Sequence, residues 1–102
     1  MSRRAKLEVL LQAEPDDEFL LYALAKEFAA EGDAPAALSR FAALAAQHPG
    51  YVATYLQWAQ LLADGGDAEQ SKRVLVRGIE AARRAGDDHA EGEMRGLLEQ
   101  LA

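Results

Sequence analysis

An all-α fold of stacked helical hairpins, an α-solenoid of about six helices, is predicted by three features of this 102-residue chain. Identical residues recur 34 positions apart: Pro15/Pro49, Leu10/Leu44, Ala25/Ala59, Ala29/Ala63, Gly32/Gly66, Asp33/Asp67 and Ala34/Ala68. One offset shared by turn, helix and cap residues marks a tandem array, because a single hairpin can bury its apolar face only against a neighbouring copy. Apolar residues also recur at i, i+3, i+4 and i+7 almost throughout. Nowhere does the chain alternate for long with the period of two that a half-buried strand requires.

Each element follows from its own residues. Leu7, Leu10 and Leu11 define a first short helix, which stops before Pro15 because the residue preceding a proline is pushed out of the α region. Asp16 to about Glu31 forms the second, with Leu20, Leu21, Leu24 and Phe28 on its buried side. Gly32 supplies a left-handed stop and Asp33 caps the third helix, which tolerates Pro35 in a first turn whose amides lack intrahelical partners. That helix runs to about Gln47, turns Leu38, Phe41 and Leu44 inward, and ends at His48-Pro49-Gly50.

The fourth helix spans about Tyr51 to Asp64 and buries Tyr55, Trp58, Ala59 and Leu62. Gly65-Gly66 breaks it, and Asp67 with Gln70 has the spacing of a capping box. The fifth helix turns Val74, Leu75 and Ile79 inward and ends near Ala85-Gly86. Asp88 with Glu91 repeats the cap spacing, and Met94, Leu97, Leu98 and Leu101 form one apolar stripe on the last helix.

Composition narrows the function. The length suits one domain. The net charge of −6 is uneven: residues 1–14 and 51–85 each carry +1, residues 15–50 and 86–102 each carry −4. An acidic chain repels phosphate backbones, so no nucleic-acid partner is expected. Cysteine is absent, which removes disulfides, thiolate metal sites and a cysteine nucleophile together. The basic start, Met1 to Lys6, is followed by a run too short and polar for a secretory segment, and no apolar stretch approaches the ~20 residues of a membrane span. A cytoplasmic protein with no membrane partner is the expectation.

Chemistry is sparse. His48 precedes Pro49 in a turn with no Ser, Thr or acid placed with it as a triad. Asp87, Asp88, His89, Glu91 and Glu93 fall within about one and a half helical turns, which aims their side chains in different directions, so no metal site is expected. Gly65-Gly66 lacks the Gly-Lys-Ser/Thr of a phosphate loop. No enzyme, and no cofactor, is expected.

The spacing resembles the tetratricopeptide repeat. Leu21-x-x-Leu24-Ala25-x-x-Phe28, then Ala37-x-x-x-Phe41, then Pro49 matches that pattern at every place. A second copy reads Tyr55-x-x-Trp58-Ala59-x-x-Leu62, then Ser71-x-x-x-Leu75, with Arg83 in place of the proline and Gly78 where the first copy has Leu44. Ala25, Ala37, Ala59 and Ser71 are small because two helices cross closely there. The resemblance implies a small bacterial-type member of that family, a right-handed α-α superhelix forming a single domain over 1–102. Its parts are a half repeat at 1–15, repeats at 18–51 and 52–85, and a capping helix at 87–102.

The same resemblance implies a function. The first helices of successive hairpins line a concave groove that holds a peptide or segment of a partner protein; by position it would be lined by Phe19, Tyr22, Lys26, Gln57, Gln60, Asp64 and Glu91. A clamp for acidic C-terminal tails is not expected, because the chain has no Asn and only Lys26 stands against Asp64 and Glu91. Arg73, Arg77 and Arg84 lie on one face of the fifth helix, as a solvated face or as a dock for an acidic partner. The alternative function is a structural subunit that self-associates as a homodimer through the ends of the array, where Val9 and Leu10 have no obvious cover.

Overall fold

The computed structural model describes residues 1–102, which form six helices: α1 (Arg3–Ala13), α2 (Glu18–Ala30), α3 (Ala34–Gln47), α4 (Ala53–Asp64), α5 (Ala68–Ala85) and α6 (Asp88–Leu101). The connections between helix pairs reuse one device. At Gly32-Asp33, Gly66-Asp67 and Gly86-Asp87 the glycine sits at positive φ, 84°, 88° and 70° respectively. Its amide bonds back three residues and the following Asp amide bonds back five, as in Asp33 to the Phe28 carbonyl and Asp67 to the Leu62 carbonyl, both 2.9 Å. The same Asp then opens the next helix: Asp33, Asp67 and Asp87 accept the amides of Ala36, Gln70 and Ala90 at 3.2, 3.0 and 3.0 Å. Two residues thus close one helix and start another.

Several boundaries differ from the sequence reading. Ser2 caps α1 through the Ala5 amide, so the helix begins a turn earlier than its first leucine. The cap of α2 is Asp17 and that of α6 is Asp87, not Asp88. The Asp67 amide is already bonded to Leu62, so Gln70 does not complete a capping box; only its amide is held. The α4 helix starts at Ala53 with no side-chain cap at Val52.

The helices form two layers. The α2, α4 and α6 helices touch in series, whereas no Cα of α1, α3 or α5 comes within 8 Å of another member of that set. Helices that converge on one side and splay on the other make a curved stack, concave along α2, α4 and α6. The stack measures 41 × 29 × 20 Å, with a radius of gyration of 13.6 Å.

Its core fills the space between layers. Leu24, Phe41, Leu44, Leu75 and Met94 are fully buried, and Ala25, Ala37, Ala59 and Ser71 stand where helices approach closely. Ser71 reaches this apolar crossing because its hydroxyl donates to the Ala59 carbonyl at 2.7 Å. Thr54 is also buried, but its hydroxyl has no partner. Thr54→Val keeps the shape and deletes the orphan oxygen, so urea titration is expected to show about 1 kcal/mol of added stability. A loss of stability would mean that the hydroxyl is bonded.

His48 does have acids beside it, contrary to the sequence reading. Its Nε2 lies 2.9 Å from an Asp16 carboxylate oxygen and its Nδ1 3.2 Å from Glu18. A neutral imidazole has one N–H, so both contacts are hydrogen bonds only when both ring nitrogens are protonated. The folding of α2 against the α3–α4 turn brings these residues together across about 30 positions of sequence, which local spacing does not reveal. The arrangement ties that turn to the start of α2.

Candidate binding groove

The concave side carries four clefts with shared walls. Phe19, Tyr22 and Lys26 of α2 line one of about 430 Å³ together with Arg3 and Leu7 of α1. Lys26 also bounds a smaller one, about 120 Å³, whose other walls are Gln57, Gln60 and Asp64 of α4 above the Phe41 ring. Gln57 and Gln60 continue into a cleft of about 350 Å³ against Gly92, Glu93 and Gly96 of α6. Tyr22 and Gln57 border a fourth, about 310 Å³, that reaches His89 and Glu93. Shared residues therefore join the clefts into one trough across α2, α4 and α6.

Six of the seven residues proposed from the sequence lie along it. Phe19 is 62% exposed, a large apolar ring free for contact. Lys26 Nζ sits 5.5 Å from the Tyr22 ring centroid, which orients the ammonium toward the trough. Gln60 donates to Asp64 at 2.9 Å, neutralising part of the donor capacity of the amide and holding both side chains. Tyr22 in turn packs against Phe41 and Tyr51, with ring centroids 6.4 and 5.6 Å away and tilted planes.

Glu91 is the exception. Its carboxylate accepts Arg95 Nε at 2.9 Å, and it lines none of these clefts. The 34-residue offset fails to carry across the second boundary, because α5 runs for 18 residues against 14 for α3 and the Pro49 counterpart is missing. Glu93 takes the place that Glu91 was expected to hold. The α1 contribution and the glycines Gly92 and Gly96 were also missed. Their one signal was the i, i+4 spacing of two small residues on the side of α6 away from Met94.

Burial raises the Tyr22 phenol above its ordinary value of 10.0, and Tyr51 beside it adds to the rise. Tyr51 is raised too, by burial first and then by the Glu18 and Asp17 carboxylates. Folding therefore favours the neutral phenols, and the unfolded chain loses those protons first as pH rises. The stability tied to them is complete below about pH 10 and is lost as pH climbs through their raised values. Urea midpoints followed from pH 8 to about 11 are expected to fall less steeply for Tyr22→Phe/Tyr51→Phe than for the parent. Parallel curves would refute the linkage.

The family model of the tetratricopeptide repeat matches residues 28–101. The chain belongs to the tetratricopeptide repeat family. Among solved structures, the solution structure of a tetratricopeptide repeat domain protein from Salinibacter ruber is 30% identical, covers 85% of this chain and 88% of that one, and superposes with a TM-score of 0.81. A crystal structure of a tetratricopeptide repeat domain protein from Salinibacter ruber is 29% identical over 83% of this chain and 96% of that one, TM-score 0.79. A protein of Bordetella parapertussis, 25% identical, covers 99% of this chain and 88% of its own, TM-score 0.84. No curated protein sequence matches. Tetratricopeptide repeats are in general modules of protein–protein interaction. No helix here is long and apolar enough to cross a membrane.

Proposed function

We propose that this tetratricopeptide repeat chain is an interaction adaptor whose concave trough holds an extended or helical segment of a partner protein. The observation that supports the reading is the shared-wall path from Phe19 through Tyr22 and Lys26 to Gln57, Gln60 and Asp64. The path offers a partner three kinds of contact in sequence. An exposed aromatic ring and the Leu7 side chain take an apolar residue, Lys26 takes a carboxylate or backbone carbonyl, and the Gln57 and Gln60 amides pair with a peptide backbone.

The second reading, self-association through the ends of the array, is favoured by one observation: Val9 and Leu10 on α1 are 48% and 52% exposed. Light scattering separates the two, since the adaptor reading expects a mass independent of concentration and the second does not.

The direct test uses peptides selected on the immobilised chain from a random displayed library. Tyr22→Ala/Lys26→Glu is expected to weaken their binding at least about tenfold, a loss of about 1.4 kcal/mol. Nuclear magnetic resonance should show the Gln57 and Gln60 side-chain amides shifting on titration. Peptides that bind the double variant as well as the parent, or that leave both amides unmoved, would place recognition outside the trough.

A further inference from the structure

A cleft of about 600 Å³, larger than any of the four in the trough, lies off the concave side. It opens between α5 and the α3–α4 turn, where the outer helices splay, and Tyr55 forms its floor. The Tyr55 hydroxyl donates to the Pro49 carbonyl at 2.6 Å, which holds the turn against that floor. Val76, 60% exposed, stands on one wall, and Arg77, Glu80 and Arg84 stand beside it.

Arg77 is the informative residue. Its guanidinium carbon lies 5.4 Å from the Trp58 ring centroid and 5.8 Å from that of Tyr55. A guanidinium held over aromatic rings by its π contacts still has N–H donors with which to pair a carboxylate. Within this chain no carboxylate comes within 4.0 Å of Arg77, although Arg84 nearby takes Glu80 at 3.1 Å. The contact between α1 and α2 shows the completed form of the same arrangement. There Arg4 stands 5.2 Å from the Phe28 centroid and its edge is occupied by Glu31 at 3.1 Å. Of the three arginines that lie over aromatic rings, the chain supplies a carboxylate to Arg4 and none to Arg40, 5.5 Å from the same Phe28 centroid, or to Arg77, and only Arg77 borders this cleft.

We propose that the outer cleft is a second binding surface, taking a partner segment that presents a carboxylate to the edge of Arg77 and an adjacent apolar side chain to Val76. The local charge agrees: the charged lining is Arg77 and Arg84 against the single carboxylate of Glu80, in a chain of net −6, so an acidic peptide is favoured here. Glu80 and the overall negative charge oppose a polyphosphate ligand. This surface is independent of the concave trough, and either can be correct without the other.

Trp58 is the single tryptophan and lies under Arg77, so its emission reports the site directly. The probe is a capped hexapeptide of alternating glutamate and leucine, with the glutamine–leucine hexapeptide as its uncharged counterpart. Titration at low salt is expected to give a saturable change in Trp58 emission with a Kd below about 1 mM. The affinity should fall at least about tenfold for the glutamine peptide and for Arg77→Met, which keeps the stem over the rings but removes the donors. Circular dichroism of Arg77→Met confirms that the helices are intact. The Tyr22→Ala/Lys26→Glu chain should bind the probe unchanged. Absence of saturable binding, equal binding by Arg77→Met or by the glutamine peptide, loss in the trough variant, or tighter binding of a single-stranded oligouridylate would each overturn the proposal.

Discussion

Phe41→Ala is expected to remove about 3–5 kcal/mol of folding stability, measured by urea titration of the far-ultraviolet helix signal. Phe41 is 1% exposed and sits on α3 where the first hairpin meets the second. Its ring packs on Tyr22 and belongs to the same core as Ala25, Tyr55 and Trp58. In a globular protein neighbouring side chains from several directions can partly collapse into such a cavity. Here the ring lies between two layers, where closing the hole means shifting α2 or α4 as a rigid rod. The cost should therefore fall toward the upper end for a phenylalanine truncation, and a loss below about 1 kcal/mol would remove Phe41 from the core. The same variant should also disturb the trough, because the Phe41 ring is the base of the cleft bounded by Lys26, Gln57, Gln60 and Asp64.

Gly78→Ala should destabilise the chain even though alanine favours helix over glycine by up to about 1 kcal/mol. A β-carbon built at Gly78 would lie 2.4 Å from the Tyr55 β-carbon and 2.5 Å from the Met94 sulfur. The methionine side chain is flexible and can move aside. The Tyr55 β-carbon is fixed to the α4 backbone and cannot, so α5 would be levered off α4. Overpacking of this kind costs about 1–3 kcal/mol, which outweighs the gain in helix propensity. Gly78→Leu, which restores the residue found at the equivalent place of the first copy, should be worse than Gly78→Ala. The measurement is again the urea midpoint, and an unchanged or raised midpoint for Gly78→Ala would show that α4 and α5 have room to separate.

Gly78 also shows how a departure from the repeat is explained only by packing. Read along the chain, it is a weak spot in the second copy. In space, it is the point where α4, α5 and α6 meet, and Met94 of α6 occupies the volume that a larger side chain would need. No local pattern connects residues 55, 78 and 94. The His48 contacts with Asp16 and Glu18 are of the same kind, since they exist only once α2 lies beside the α3–α4 turn.

The trough divides in the same way. Phe19, Tyr22 and Lys26 follow one another at i, i+3 and i+7 on a single helix, so their common face was readable. Gln57, Gln60 and Asp64 followed by carrying the first helix onto the second through the 34-residue interval. Glu91 failed at the next step, because a longer α5 and a two-residue turn break that interval before α6. An offset in sequence transfers a face only while helix and turn lengths are conserved between copies.

The number and order of the helices, the glycine-aspartate junctions and the small residues at the crossings are legible along the chain. Those depend on interactions over a few positions, or on a repeat that makes distant positions equivalent. Three features emerge only in the folded chain: which residues of α6 join the trough, why Gly78 must be glycine, and that Arg77 lies over Trp58 and Tyr55 without a carboxylate of its own. Each of these turns on how far apart neighbouring helices stand and how they are rotated about their axes. Both quantities are set by the summed packing of whole layers, and no short stretch of sequence carries them.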